Sequence, residues 1–253
     1  MKLRLLCGLL LVTLLCACVQ PLAAQPHDDS TAPRNKLFYI GLALYSESWS
    51  AYDVTDLGDE LRRTADFDLV PLIASNFASR QARYPAADTA TINRLTRMVA
   101  ERAGPGDLVL LHISTHGGRG VLASKIGNRE PTALPGSTLA RLLEPLATHR
   151  TVIIISACYS GSLIGNLSSP DRIIIAAARG DRSSFGCAAG NRHTFFGEAE
   201  LHAFAQPNLS LHQAFTAIRA DVAQMEQEND YTPSEPQVSV GANVVELYDA
   251  PLF

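Results

Sequence analysis

Residues 108–118 read Leu-Val-Leu-Leu-His-Ile-Ser-Thr-His-Gly-Gly, and residues 152–161 read Val-Ile-Ile-Ile-Ser-Ala-Cys-Tyr-Ser-Gly. Each is an apolar run that stops at one reactive side chain and a glycine-containing turn. A run apolar at every position suits a strand covered on both faces, as in a parallel sheet flanked by helices. Residues 172–178 (Arg-Ile-Ile-Ile-Ala-Ala-Ala) repeat the pattern. The remaining chain alternates strand and helix signals, which implies parallel pairing through right-handed crossovers.

Outward from these runs, strands are expected at Leu37–Tyr45, Asp68–Ala74, Leu108–Ile113, Thr151–Ile155 and Arg172–Ala178, with a last short strand at Val244–Leu247. Helices are expected at Asp53–Thr64, Thr89–Ala103, Ser137–Ala147, Phe195–Ala205 and Leu211–Gln227. The fold class is therefore α/β, a three-layer sandwich around a mostly parallel central sheet. In such sheets the site lies beyond the carboxyl ends of the strands, and His116 and Cys158 fall at two of those ends.

The chain has 253 residues, 47% of them hydrophobic and 18% charged, with a net charge of −4. This suits one globular domain with a sizeable core and lacks the basic footprint of a nucleic-acid binder. Residues 1–24 carry the marks of an export signal. Lys2 and Arg4 precede an apolar run from Leu5 to Cys18, which is short for a membrane span, and cleavage fits after Ala24. In a second version, Leu15-Cys16-Ala17-Cys18 resembles a lipoprotein signal, with a lipidated Cys18 attaching the protein to a membrane. Residues 25–35 read as a linker and 36–253 as the folded domain. Three of five cysteines lie in the leader, which leaves Cys158 and Cys187. Two are no disulfide framework, although an oxidising compartment would allow them to pair.

The chemistry follows from the placement. A thiolate is a strong nucleophile, and an imidazole beside it can take its proton and later protonate a leaving amine. Gly117 leaves a backbone N–H unobstructed, and with the N–H of Cys158 it forms a candidate oxyanion hole. His112 and His116 form a His-x-x-x-His pair. The segment reads as a strand and carries no general-base Glu, so it does not read as a zinc site. No Gly-x-Ser-x-Gly elbow and no phosphate-binding loop occur, and no metal or cofactor is expected.

Ser114-Thr-His116-Gly117 and Ser156-Ala-Cys158-Tyr-Ser-Gly161 resemble the paired motifs of the legumain (asparaginyl endopeptidase) family of cysteine peptidases, of the caspase-like clan. Asp181-Arg-Ser-Ser-Phe-Gly-Cys187, Thr194-Phe-Phe-Gly-Glu198 and Ser234-Glu-Pro-Gln237 are similar to further stretches of that family, including its bacterial members. The resemblance implies a caspase-like fold and a cysteine endopeptidase that hydrolyses peptide or protein substrates through a thioester. It assigns His116 and Cys158 as the catalytic pair, Gly117 to the oxyanion hole, and Ser156, Ser183, Ser184 and Glu198 to substrate binding. The leader at 1–24, in a chain similar to bacterial members, implies export to a periplasmic or lipid-anchored envelope location. The Asn that supports the His in legumain and its pocket Arg have no counterpart between Tyr45 and Asp53. A transamidase or ligase of the same clan, and a non-catalytic envelope binding protein with the same fold, are the alternatives.

Overall fold

The computed structural model describes residues 34–80 and 83–252. The leader expected at 1–24 and the linker residues up to 33 lie outside the described residues. Among the described residues no helix is long and apolar enough to cross a membrane.

The elements are β1 (Lys36–Ala43), α1 (Ser48–Thr64), β2 (Asp68–Ser75), α2 (Thr89–Arg102), β3 (Leu108–Ser114), β4 (Gly117–Gly118), β5 (Val121–Ser124), β6 (Thr132–Pro135), α3 (Gly136–Leu142), β7 (Thr151–Ser156), α4 (Ile164–Leu167), β8 (Arg172–Ala176), α5 (Phe195–Phe204), α6 (Leu211–Glu228), β9 (Gln237–Val240) and α7 (Val245–Asp249). The main sheet has the order β2-β1-β3-β7-β8-β9, and β4, β5 and β6 form a second small sheet. All pairings in the main sheet are parallel except β8 with β9. The sandwich is thus as expected, with helices on both faces.

Strand alternation sorts the core into two layers. Leu108, Leu110, Val152 and Ile154 face Leu57, Leu61, Phe196, Phe204 and Ile218 on one side. Val109, Leu111, Ile113, Ile153 and Ile155 face Ile92, Val99, Leu139 and Leu163 on the other. The same two-residue period turns His112 and Ser114 toward the first layer. Helix starts follow their caps. Asp88 accepts from Thr91 N at 2.7 Å, and Ser210 and Gln213 form a reciprocal capping box that opens α6.

The structure corrects the last strand. Val244–Leu247 does not pair into the sheet; Val244 ends a 3₁₀ turn and residues 245–247 open α7. Val244 and Leu247 are buried at a helical spacing of three, within the layer that contains α6. The edge strand is instead Gln237–Val240, antiparallel to β8. Boundaries also move: β1 ends at Ala43 rather than Tyr45, and β8 at Ala176 rather than Ala178. α1 begins at Ser48, five residues earlier than expected, and the helix expected through Ala147 breaks after Leu142 into a 3₁₀ turn at Glu144–Leu146 containing Pro145. The stretch between Gly118 and Gly136 folds as a hairpin. Lys125 N donates to Leu44 O at 2.9 Å, which docks the hairpin over the end of β1.

Candidate active site

β3 and β7 are adjacent and parallel, with Ser114 paired to Ser156. Equal steps beyond that pair carry the chain to His116 and Cys158, so both side chains emerge at the same sheet edge. They line one narrow cleft, together with Thr115, Ser156, Ala157, Ser184, Phe185, Cys187 and Thr194.

His116 is held by its surroundings. Thr115 N donates to Ser156 O at 3.0 Å, and Ala123 N to His116 O at 2.9 Å, so the backbone is tied to β7 and to the hairpin. The imidazole meets Tyr45 edge-on, with centroids 4.5 Å apart, and Trp49 at 5.1 Å. Its Nε2 lies 3.4 Å from Glu47 Oε2.

Cys158 sits at a sharp turn. Tyr159 adopts the left-handed conformation at φ 59°, which costs a side chain with a Cβ energy. The turn is held by Tyr159 N donating to Arg182 O at 2.8 Å and by Ser162 Oγ donating to Tyr159 O at 2.6 Å. The thiol Sγ lies 3.3 Å from both Ser184 N and Ser184 O. Gly117 packs against the same turn: a Cβ there would stand 2.3 Å from Cys158 O. Cys158 and Cys187 are both free thiols. Burial foremost, and then Cys158 nearby, raises the Cys187 pKa.

The floor of the cleft is a buried polar network. Asp53, on α1, accepts from Ser114 Oγ at 2.8 Å, Thr194 Oγ1 at 2.9 Å and Thr194 N at 3.2 Å. Thr194 caps α5 by accepting from Gly197 N at 2.9 Å. Because the single hydroxyl proton of Thr194 goes to Asp53, Ser156 must be the donor in its 3.0 Å contact with Thr194 Oγ1. The Ser156 oxygen is left as an acceptor. His193 Nδ1 lies 3.2 Å from Asp53 and its Nε2 3.3 Å from Asp56. Burial opposes a charged His193, but the two carboxylates lift its pKa to about 9.

Beneath this lies a buried trio. His112 Nε2 is 3.3 Å from Glu200 Oε2, and His112 Nδ1 is 3.1 Å from Tyr39 Oη. Burial disfavours the charged imidazole, yet Glu200 raises the His112 pKa overall.

Of the residues assigned from sequence, the structure brings His116, Cys158, Ser156 and Ser184 to the cleft and places Gly117 against Cys158. Ser183 is half-buried and outside the lining residues. Glu198 is exposed in the first turn of α5, also outside them, while Glu200, two positions on, turns inward. Sequence reasoning missed Tyr45, Glu47, Trp49, Asp53 and Thr194. Glu47 and Trp49 lie between the strand expected to end at Tyr45 and the helix expected to start only at Asp53, where no periodicity marks a side chain as inward, and Tyr45 falls just past the observed end of β1. For Asp53 a signal existed: an acid on the apolar face of a helix, with Val54 and Leu57.

The model of the Peptidase C13 family matches residues 88–246. No curated protein matches the chain in sequence. Among solved structures, the crystal structure of caspase-1 from Spodoptera frugiperda is similar, with a TM-score of 0.53 and 16% identity. The likeness covers 82% of this chain and 86% of that one, and at this identity it speaks for the fold alone.

Proposed function

The chain belongs to the peptidase C13 family, and on that premise we propose that it is a cysteine endopeptidase acting through His116 and Cys158. The observation that carries the reading is the convergence of these two side chains on one cleft, from the ends of neighbouring parallel strands. Cys158 attacks the scissile carbonyl after His116 takes its proton. The tetrahedral oxyanion is received by the N–H groups of Gly117 and Cys158. His116 then protonates the leaving amine, and water hydrolyses the thioester. Ser184 N–H, 3.3 Å from Sγ, stabilises the thiolate. Ser156 presents a hydroxyl acceptor to the substrate side chain. The substrates are peptides or proteins, and the leader in the sequence supports action outside the cytoplasm.

The test is to incubate the purified protein, under reducing conditions, with a diverse peptide pool and to read cleavage sites by mass spectrometry. Cleavage that disappears in Cys158→Ala supports the peptidase. Joined rather than cut peptides would replace hydrolysis by transamidation. No reaction in either protein, with Cys158 inert to an alkylating probe, would sink the catalytic reading.

A further inference from the structure

We propose that Glu47 is a positioning residue that fixes the proton of His116 on Nε2, leaving Nδ1 as the nitrogen that serves Cys158. The inference rests on the reading of His116 and Cys158 as a catalytic pair.

Four observations converge on Glu47. Its Oε2 lies 3.4 Å from His116 Nε2. The same oxygen accepts the Trp49 Nε1 proton at 2.7 Å, and Trp49 is only 1% exposed, so a rigid indole anchors the carboxylate. Glu47 occupies the position that caps α1, yet its side chain makes no capping bond. The carboxylate is thus turned away from the helix end, where an acid is ordinarily favoured, and toward the imidazole. Finally, Tyr45 and Trp49 meet the imidazole at interplanar angles of 87° and 74°, edge-on contacts that restrict rotation of the ring.

A neutral imidazole carries one proton, and the partner of one nitrogen decides which. A carboxylate 3.4 Å from Nε2 favours the proton on that nitrogen, so the lone pair remains on Nδ1. When His116 becomes cationic on taking the thiol proton, the same carboxylate faces the new charge. Glu47 never touches the reacting atoms and acts only through His116. The side chains of His116 and Glu47 are 33% and 47% exposed, so the pair contributes little to folding, and its effect falls on ring orientation and tautomer.

The test uses the full-length protein labelled with ¹⁵N in its histidines, with Glu47→Gln and Glu47→Ala. The His116 resonances are assigned by their loss in His116→Gln. In the wild type, the ¹⁵N shifts at a pH where His116 is neutral should report the Nε2–H tautomer. Glu47→Ala should give a mixture of tautomers and lower kcat by about ten- to hundredfold, with KM and melting temperature nearly unchanged. Glu47→Gln keeps an oxygen acceptor and should recover most of kcat. An Nδ1–H tautomer in the wild type, or Glu47→Ala with tautomer and kcat unaltered, overturns the proposal. A wild type with the Nε2–H tautomer but no peptide cleavage would overturn the catalytic reading and leave the orienting role of Glu47 standing.

Discussion

The missing side chain of Gly117 is what allows Cys158 its place: a Cβ on Gly117 would stand 2.3 Å from the Cys158 carbonyl oxygen and 3.1 Å from Ala157 Cβ. The obstacle is backbone, which cannot rotate away as a side-chain tip would. Gly117→Ala should therefore separate the His116 loop from the Cys158 turn and misplace the Gly117 N–H. In a peptide-cleavage assay the variant is expected to lose about a hundredfold or more in kcat, the usual cost of losing one oxyanion donor. The fold should persist, because both segments stay anchored by β3 and β7. Near wild-type cleavage by a folded Gly117→Ala protein would remove Gly117 from the mechanism.

Two thiols line one cleft, but they are not equivalent. Burial, followed by the proximity of Cys158, raises the Cys187 pKa, and a raised pKa means less thiolate. Ser184 N–H faces the sulfur of Cys158. Limiting iodoacetamide near neutral pH should alkylate Cys158 first, as read by peptide mapping, and the modification should abolish cleavage. Cys187→Ser should keep both the labelling of Cys158 and the activity. Faster labelling of Cys187 would contradict this ranking.

Much of this arrangement was legible in the sequence, for a physical reason. β3, β7 and β8 are buried along their whole length, so their composition is constrained at every position and announces a parallel sheet. The reactive residues follow directly on two of these runs. Glu47 carries no such signature, because a segment linking strand to helix obeys no period, and Trp49 stands in the first turn of α1, ahead of the start that the apolar spacing marks. The Val244–Leu247 segment misled because Val-Val-Glu-Leu has strand composition, whereas its burial is helical. Gln237–Val240, the true edge strand, is only half-buried throughout, so pairing with β8 rather than hydrophobicity defines it. Glu198 attracted notice beside Gly197, but the turn of α5 points it to solvent and directs Glu200 at His112.

His193 makes stability depend on pH at the alkaline side. Its folded pKa of about 9 exceeds the ordinary 6.5, since Asp53 and Asp56 outweigh the opposing effect of burial. A group with a raised folded pKa gives its full stabilisation below the unfolded value and loses it as pH rises through the folded one. The rise corresponds to something on the order of 3 kcal/mol. Urea unfolding followed from pH 6 to 10 should show stability falling between about 6.5 and 9. His193→Gln should be less stable at pH 6 and should flatten that part of the curve. An unchanged pH dependence in the variant would refute the assignment.

Asp53 and Gly197 form one coupled unit under the cleft. The carboxylate of Asp53 is fully buried and receives Ser114, the Thr194 hydroxyl and the Thr194 N–H. It fits only because position 197 has no side chain: a Cβ there would lie 2.2 Å from Asp53 Oδ1. Asp53→Ala strands these three donors in the interior, removes one carboxylate from His193 as well, and should cost about 3 kcal/mol or more. Gly197→Ala should cost a comparable amount through collision with the carboxylate and loss of the Thr194 cap geometry. The decisive comparison is the double variant. Once the Asp53 carboxylate is gone, the methyl group at 197 has space, so its cost should shrink by more than the few tenths of a kcal/mol expected of independent sites. Additive losses, measured by urea unfolding of the four proteins, would show that Gly197 is required for some reason other than the room it gives Asp53. The same cycle read by cleavage should show activity lost with Asp53→Ala, since Thr194 and Ser156, which line the cleft, take their hydrogen-bond direction from that carboxylate.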